Sequence, residues 1–265
     1  MRPLSARNPR VNTLARLARR REDRADQRAL LVEGPVLLAT ALDAGAEVVD
    51  VYVHDDALDR PAVAAVLARL DPAVVPWVVP SGTLERVGDV RTSQGVISVI
   101  RQRDAPWPSP AATSFVLVLA EVADPGNAGT LIRAAAAAGA GAVVLAGGVD
   151  PTNLKVVRAS AGALFGIDVV TAPTPVDALA RLSTAGYRIV GTVVRDGQPH
   201  DEADLTGPVA LVVGNEAHGL GPEVVAVLDR AITIPMAGPT ESLNVAMAGT
   251  IVCFEVLRQR RHRPV

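Results

Sequence analysis

Short apolar segments alternate with helical patterns along residues 115–234, and this alternation limits the possible folds more than any other feature of the chain. Six segments rich in valine, leucine, isoleucine and alanine are predicted as strands, at residues 115–120, 142–146, 167–170, 188–192, 209–213 and 231–234. Helices are expected between most of them. Strands that are apolar along their whole length and separated by helices are typical of a parallel sheet covered on both faces. The predicted fold class of this part is therefore α/β.

The N-terminal part predicts a second, smaller α/β unit. Helices are expected at residues 11–21, 35–44 and 61–70, and strands at 29–32, 48–53, 74–79 and 95–100. A segment with prolines at 106, 108 and 110 follows, which is typical of a stiff, extended linker. The predicted domains are therefore an N-terminal domain at 1–105, a linker at 106–113 and a second domain at 114–265.

Composition narrows the class of protein. The chain has 265 residues, of which 49% are hydrophobic, so it can bury a sizeable core. It has no apolar run long enough to span a bilayer and no N-terminal signal-peptide core. Cys253 is the single cysteine, which excludes an intrachain disulfide and favours a cytoplasmic location. No cysteine and histidine cluster has metal-ligand spacing, so no metal is expected.

Positive charge is concentrated at the two ends of the chain, although the net charge is only −2. Nine arginines lie within the first thirty residues, at 2, 7, 10, 16, 19, 20, 21, 24 and 28, and a second basic stretch covers residues 258–263. Arginine suits bidentate contacts to phosphate, so these patches are compatible with RNA binding. A general arginine bias with solvated helix faces explains either patch equally well.

Three polar loops follow predicted strands of the second domain. The first covers residues 121–133, where Asn127 is a candidate helix N-cap and Arg133 lies about a turn and a half into the helix. From spacing alone, an ordinary capped helix with one exposed arginine is the better interpretation. Ligands of parallel sheets bind at the carboxyl ends of the strands, where these loops lie.

The second and third loops carry more polar groups. The second runs Gly214-Asn-Glu216-Ala-His218-Gly219, and a lone histidine in such a loop is more often a turn residue than a base. The third follows an apolar run and carries Glu241, Ser242 and Asn244 toward a long apolar helix pattern. A structural loop does not need three polar side chains there, whereas a site for a polar ligand does.

In order and spacing, the three loops resemble the SpoU/TrmH family of the knotted SPOUT class, whose members are RNA ribose 2′-O-methyltransferases that use S-adenosylmethionine. The matching motifs are Asn127-x-Gly129-x-x-x-Arg133, Gly214-x-Glu216-x-x-Gly219 and Ile234-Pro-Met-x-Gly-x-x-x-Ser242-Leu-Asn244. The segment around Lys155 to Gly162 also resembles the family, which often has proline where this chain has Leu154. The resemblance covers about residues 114–260.

Two N-terminal motifs resemble the substrate-binding domain that precedes the catalytic domain in many ribosomal RNA members. They are Leu31-Val-Glu33-Gly34-Pro35 and Ser93-Gln94-Gly95-Val96. An ordinary strand-to-helix turn is the alternative interpretation of the first motif. The two-domain layout favours ribosomal RNA over transfer RNA. An antibiotic-resistance methyltransferase has the same layout, so a role in self-protection stays open.

The resemblance implies a parallel-sheet domain with a C-terminal trefoil knot and one pocket for S-adenosylmethionine. It implies that backbone groups of Gly214, Ile234 and Leu243 hold this cofactor, with Thr192 and Met236 in the walls. The sulfonium of the cofactor supplies the methyl group, and the protein aligns it with the ribose hydroxyl.

The implied catalytic residues are Arg133, Asn127, Glu216, Ser242 and Asn244. In the family Arg133 is the proposed activator of the hydroxyl. Since arginine is a poor base, we favour a role in gripping the target phosphate and stabilising the developing alkoxide. Asn127 is expected to orient Arg133 or the ribose, and the other three complete the substrate side. A homodimer through the helix at 245–257 is also implied, and simple core packing is its alternative.

Two other functions are compatible with parts of the sequence. A non-catalytic RNA-binding or ribosome-assembly protein on the same fold is the main alternative, and the presence of Arg133, Glu216 and Asn244 weighs against it. A nucleotide-dependent oxidoreductase is disfavoured because the first strand-to-helix turn of the second domain lacks G-x-G-x-x-G.

Overall fold

The computed structural model describes residues 1–87, 93–110 and 115–261. The chain forms two compact units. The first contains Met1–Arg103 and Thr152–Phe165, and the second contains Asp104–Pro151 and the chain from Gly166 onward. Residues 111–113 of the predicted linker and residues 262–263 of the basic C-terminal stretch lie outside the described residues.

The described residues form twelve strands and nine α-helices. The strands are β1 (Arg2–Pro3), β2 (Ala29–Glu33), β3 (Val48–His54), β4 (Trp77–Val79), β5 (Val96–Arg101), β6 (Phe115–Ala120), β7 (Ala142–Ala146), β8 (Asp168–Ala172), β9 (Arg188–Thr192), β10 (Gln198–Pro199), β11 (Val209–Val213) and β12 (Arg230–Thr233). The helices are α1 (Pro9–Arg19), α2 (Arg21–Gln27), α3 (Pro35–Asp43), α4 (Pro61–Leu67), α5 (Pro125–Ala137), α6 (Leu154–Ala159), α7 (Pro175–Ala185), α8 (Pro222–Val225) and α9 (Val245–Arg261).

The second unit is built on a seven-stranded sheet in the order β10-β12-β9-β11-β6-β7-β8, and every strand pair in it is parallel. The predicted parallel α/β sheet is confirmed. Strands β6, β7 and β11 are buried at every residue, which explains their continuous apolar sequences. Because β12, β9, β11 and β6 are neighbours, the loops that follow them meet at one edge of the sheet.

The first unit contains a mixed five-stranded sheet in the order β1-β4-β3-β5-β2. Strand β5 runs antiparallel to both β2 and β3, whereas β1, β4 and β3 are parallel to one another. Residues 152–165 belong to this unit, although the sequence-based division groups them with the second domain. Their packing explains why, because Leu154 and Val157 join apolar clusters formed by the N-terminal strands and helices.

Three elements were missed by the sequence analysis. Strands β1 and β10 have two residues each, too few to show a period. Helix α2, Arg-Glu-Asp-Arg-Ala-Asp-Gln, has almost no apolar residue and therefore no amphipathic pattern. Within the described part of the chain, no helix is both long and apolar enough to cross a membrane. The same residues contain no group of three side chains suited to holding a metal ion.

Candidate active site

A cavity of about 300 Å³ lies in the second unit, at the carboxyl ends of β9, β11 and β12. Residues directly after these strands line it, as expected for a parallel sheet. Apolar side chains of β12 and α9 form one part of the wall, and the polar groups of two loops form the other. The lining includes Thr192, Gly214, Glu216, Ile232, Ile234, Met236, Ser242, Leu243 and Val252.

Asn244, Asn127 and Glu216 form a hydrogen-bonded chain beside this cavity, which we call the polar bridge. The Asn244 side-chain amide donates to Asn127 Oδ1 at 3.1 Å, and Asn127 Nδ2 donates to Glu216 Oε1 at 3.0 Å. The Glu216 carboxylate also accepts the backbone N–H groups of Ala123 and Asp124, at 3.1 and 3.0 Å. The polar bridge therefore ties the loops after β6, β11 and β12 to one another.

Hydrogen bonds determine the ionisation of Glu216. Burial alone raises its pKa, but the Asn127 amide and the backbone N–H groups of Asp124 and Ala123 outweigh burial and hold the pKa below its usual value. Glu216 is therefore ionised at neutral pH. A carboxylate with a depressed pKa is a weak base, which makes Glu216 better suited to holding loops than to taking a proton.

Asp124, not Asn127, caps helix α5, so the predicted N-cap was wrong. The Asp124 side chain accepts the backbone N–H of Asn127 at 2.8 Å, and Pro125 occupies the first helical turn. The Asp-Pro pair was the sequence signal for this cap. Asn127 lies in the first turn of the helix, and the cap leaves its side chain available for the polar bridge.

Asn244 has a comparable double role at the start of α9. Its Oδ1 accepts the backbone N–H groups of Ala246 and Met247, at 2.9 and 3.3 Å. Its amide nitrogen meanwhile donates to Asn127. The residue thus caps the helix and fixes the helix start to the loop after β6.

The loop after β11 is held by a residue that the sequence analysis passed over. Asn215 Nδ2 donates to the Glu121 carbonyl at 2.9 Å, and Asn215 Oδ1 accepts the N–H groups of Ala217 and His218. Glu121 has a positive φ of 57°, which is rare for a residue other than glycine. The only sequence signal for a role of Asn215 was that it directly precedes Glu216.

Glycine at 214 allows a close approach of backbone to backbone. A Cβ at this position would overlap the backbone of Gly219, with which Asn215 forms an isolated antiparallel bridge. The turn can therefore close only if residue 214 has no side chain. The closed turn forms one wall of the cavity.

The structure brings nine of the ten predicted site residues together. All five predicted cofactor residues line the cavity, namely Thr192, Gly214, Ile234, Met236 and Leu243, and so do Glu216 and Ser242. Asn127 and Asn244 adjoin it through the polar bridge. Arg133 does not line the cavity. It is exposed on α5, and its guanidinium forms no hydrogen bond or ion pair within the described ranges.

The cavity fits a ligand with one apolar flat part and one polar, cationic part. Its volume is at the lower end of the range found for small-molecule sites. Ile232, Ile234 and Val252 provide an apolar slot, whereas the Thr192 hydroxyl and the ionised Glu216 lie on the polar side. Adenine and a sulfonium with its amino-acid group match these two sides.

Comparisons with known proteins agree with this geometry. The model of the SpoU rRNA Methylase family matches residues 114–254. The chain is 31% identical over 255 residues to the 23S rRNA (guanosine(2553)-2′-O)-methyltransferase RlmP of Bacillus subtilis, covering 95% of this chain and 97% of that protein.

Solved structures extend the likeness to the whole chain. An S-adenosylmethionine-bound rRNA methyltransferase from Sinorhizobium meliloti has a TM-score of 0.86 at 30% identity, covering 97% of this chain and 98% of that one. The methyltransferase AviRb from Streptomyces viridochromogenes, also in complex with the cofactor, has a TM-score of 0.88 at 27% identity, covering 97% and 100%. The chain belongs to the SpoU rRNA methylase family and is an RNA 2′-O-ribose methyltransferase that uses S-adenosylmethionine.

Proposed function

We propose that this protein methylates a ribose 2′-hydroxyl of ribosomal RNA. The observation that carries the proposal is the cavity at the carboxyl edge of the sheet, with the polar bridge beside it. The similarity to the Bacillus subtilis 23S rRNA enzyme over nearly the whole of both chains supports ribosomal RNA as the substrate. The name of that relative makes guanosine the first nucleotide to test.

The chain's own residues hold and orient the reactants. S-adenosylmethionine, when bound, supplies the methyl group as a sulfonium electrophile. Backbone groups at Gly214, Ile234 and Leu243 hold the cofactor, and Thr192 and Met236 form walls beside it. Ser242 lines the same cavity, and we assign it to the ribose side. Alignment of the hydroxyl with the methyl group is the main catalytic contribution expected from such a site.

Asn127 and Glu216 act as positioning residues in this proposal. Both ends of the Asn127 amide are engaged within the polar bridge, and three donors occupy the Glu216 carboxylate. These bonds fix the orientation of both side chains. They keep the loops after β6, β11 and β12 in one arrangement, and Asn244 completes that arrangement.

A homodimer through α9 is the second part of the proposal. Met247, Ile251 and Phe254 are 64, 38 and 44% exposed and follow one another at helical spacing, so they form an apolar stripe on the surface. The opposite face of α9 packs on α5, with Gly249 against Leu131. A second copy of the chain is the partner proposed for the stripe.

Analytical sedimentation tests whether the apolar stripe of α9 is a dimer interface. Phe254→Asp is expected to convert a dimer into a monomer, because a carboxylate in a dry interface is costly. Val225→Asp is the matched control, since Val225 is 45% exposed on α8. A wild-type protein that sediments as a monomer, or a dimeric Phe254→Asp variant, contradicts the dimer.

Arg133 is assigned to the active site of the partner subunit. It does not line its own cavity, and it lies on the exposed face of the helix that packs against α9. Its guanidinium grips the target phosphate and stabilises the developing alkoxide. Arg133→Ala is expected to abolish turnover without changing the affinity for S-adenosylmethionine.

Mixed dimers separate action within one subunit from action across the interface. One subunit carries Arg133→Ala and the other carries Gly214→Ala, whose added methyl group disturbs the cavity. If Arg133 acts across the interface, the intact cavity meets the intact arginine and the mixture regains activity. Mixed dimers as inactive as both parents contradict the assignment.

The function itself is tested by mass-spectrometric mapping of ribose methylation in ribosomal RNA. Cells without the gene are expected to lack one 2′-O-methyl group, which the wild-type gene restores and the Arg133→Ala gene does not. Identical methylation maps from cells with and without the gene would contradict the proposal. Binding of ribosomal RNA without any methylation would favour a non-catalytic assembly protein instead.

Two further expectations belong to the proposal. The family resemblance implies that the C-terminal segment is threaded into a trefoil knot, which is a rare exception among folds. The single buried Cys253 and a ribosomal substrate favour a cytoplasmic location.

A further inference from the structure

The first unit contains a buried carboxylate, one oxygen of which accepts no hydrogen bond from the residues that the structure describes. It belongs to Glu33, which ends β2 and is 7% exposed. The oxygen in question is Oε2. The Arg158 guanidinium lies 3.8 Å away, within ion-pair range but beyond hydrogen-bonding distance. Burial raises the pKa of Glu33, with Arg158 opposing the rise and Glu85 adding to it. An unsatisfied carboxylate of this kind is costly unless a ligand supplies donors.

A cavity of about 230 Å³ opens beside this carboxylate, entirely within the first unit. Val36 and Leu37 form its apolar walls, and Gln94 and Arg158 supply polar groups together with Glu33. Val36 is 72% exposed, so the cavity is accessible from solvent.

The two N-terminal motifs meet at this cavity because of the strand order. Strand β5 lies beside β2, and Glu33 pairs with Ile97, so Gln94, two residues before β5, lies at the same edge of the sheet. Gly34 has a φ of 95°, and a Cβ there would overlap the Gln94 carboxamide. The positive φ favours glycine at this strand-to-helix turn, and the Gln94 side chain lies against it.

The cavity has the polarity of a site for one planar base. An ionised carboxylate only accepts hydrogen bonds, whereas the Gln94 amide and the Arg158 guanidinium donate them. Guanine presents adjacent N1–H and N2–H donors, with the O6 acceptor next to them. Adenine and cytosine place an acceptor beside their amino group, and uracil has a single donor between two acceptors. A metal ion is disfavoured because Arg158 already places positive charge beside Glu33.

We propose that Glu33, Gln94 and Arg158 form a pocket that binds an unpaired guanine of the substrate RNA. Glu33 accepts N1–H and N2–H, and Gln94 or Arg158 donates to O6. The apolar walls contact the faces of the base. Proteins recognise single-stranded RNA in this way, by bases that leave the stack and expose their Watson–Crick edge. The inference rests on the proposed function insofar as RNA is the ligand, but the pocket is separate from the methyl-transfer cavity.

The test compares two short uridine-rich oligoribonucleotides that differ only in a central guanosine or inosine. Inosine lacks the 2-amino group and so removes one of the two donors to Glu33. Fluorescence anisotropy with the full chain is expected to show about tenfold weaker binding of the inosine probe. The Glu33→Gln variant places an amide donor in the pocket and is expected to bind both probes with equal, weak affinity. Glu47→Gln is the matched control, because Glu47 is an exposed glutamate of the same unit.

Three outcomes overturn the inference: equal binding of both probes by the wild type, unchanged discrimination by Glu33→Gln, or free guanosine 5′-monophosphate bound as tightly as the oligoribonucleotide. Thermal unfolding checks that Glu33→Gln is folded, and S-adenosylmethionine binding checks the second unit. Val36→Trp, which covers the cavity from the surface, is a second variant expected to lose the discrimination. Because these readouts need no turnover, their failure is distinguishable from loss of ribose methylation.

Discussion

Glu216→Gln is the sharpest perturbation of the polar bridge, because it removes the charge and keeps the shape of the side chain. The wild-type carboxylate accepts hydrogen bonds from Ala123 N–H, Asp124 N–H and Asn127 Nδ2. In the variant, the remaining oxygen keeps two of these bonds as neutral ones. The new amide nitrogen cannot accept a hydrogen bond from the third donor, Ala123 N–H, which must then bond to water instead.

The expected loss follows from these contacts. A hydrogen bond to a charged group contributes about 1.5–3 kcal/mol, and a neutral one about 0.5–1.5 kcal/mol. Three charged bonds become two neutral ones, which at the lower ends of both ranges is a loss of about 3.5 kcal/mol. Because the loop is exposed to solvent, screening reduces this loss, and the variant should lose about 2 kcal/mol of unfolding free energy at neutral pH.

The pH dependence gives a second, independent readout. Burial alone raises the pKa of Glu216, but its hydrogen bonds hold the pKa below the ordinary value of 4.5. A depressed pKa in the folded state adds stability above the unfolded pKa, and this stability is lost as pH falls through the folded value. The difference between wild type and variant should therefore be full at about pH 7 and shrink below about pH 4.

Urea unfolding at both pH values, followed by circular dichroism, measures the difference. Glu241→Gln is the control, because Glu241 is an exposed glutamate that forms no hydrogen bond or ion pair in the part of the chain that the structure describes. The reasoning is refuted if Glu216→Gln is as stable as Glu241→Gln at neutral pH, or if its loss is the same at both pH values.

Three further predictions concern other parts of the molecule. Gly214→Ala should weaken S-adenosylmethionine binding about tenfold or more in calorimetry, whereas Gly207→Ala, with no heavy atom within 4 Å of the added Cβ, should not. Burial raises the pKa of Cys253 to about 12, so its thiol should react with an aromatic disulfide reagent only after unfolding, and rapid reaction of the native protein would contradict this. Three arginines are exposed and form no ion pair among the described residues: Arg7, Arg20 and Arg21. Replacing all three by alanine should reduce the slope of log K against log[salt] for ribosomal RNA binding by about 2, and an unchanged slope would exclude them from the interface.

The N-terminal arginines are close together in the sequence, but not all of their side chains are free to contact RNA. Arg24 is buried, and it donates to Thr152 Oγ1 at 3.0 Å and to the Leu17 carbonyl at 2.8 Å. Arg10 lies 4.5 Å from the ring centre of Trp77 and 3.7 Å from the Asp50 carboxylate. Deleting the first 28 residues would also remove Leu14 and Leu17 from the core, so point substitutions are the better test.

Four strands of the second unit were predictable because burial of their apolar residues leaves a local signal. The bounds of β6, β7, β9 and β11 agree with the apolar runs read from the sequence. The N-cap of α5 was also available locally, in Asp124-Pro125, but the choice of Asn127 overlooked that pair. Four of the five predicted cofactor residues lie in loops whose motifs are continuous in sequence, and Thr192 ends β9, so the cavity lining was predictable from the family resemblance as well.

The sequence by itself determined the parallel α/β sheet and the loops that carry the site, because periodicity and turn chemistry act between near neighbours. Only the tertiary structure decided that Asn127 contacts Glu216 and Asn244, which are 89 and 117 residues away. It also decided that α6 joins the first unit, with Arg158 beside Glu33. These contacts depend on strand order and on packing between distant segments, and no local pattern reports either.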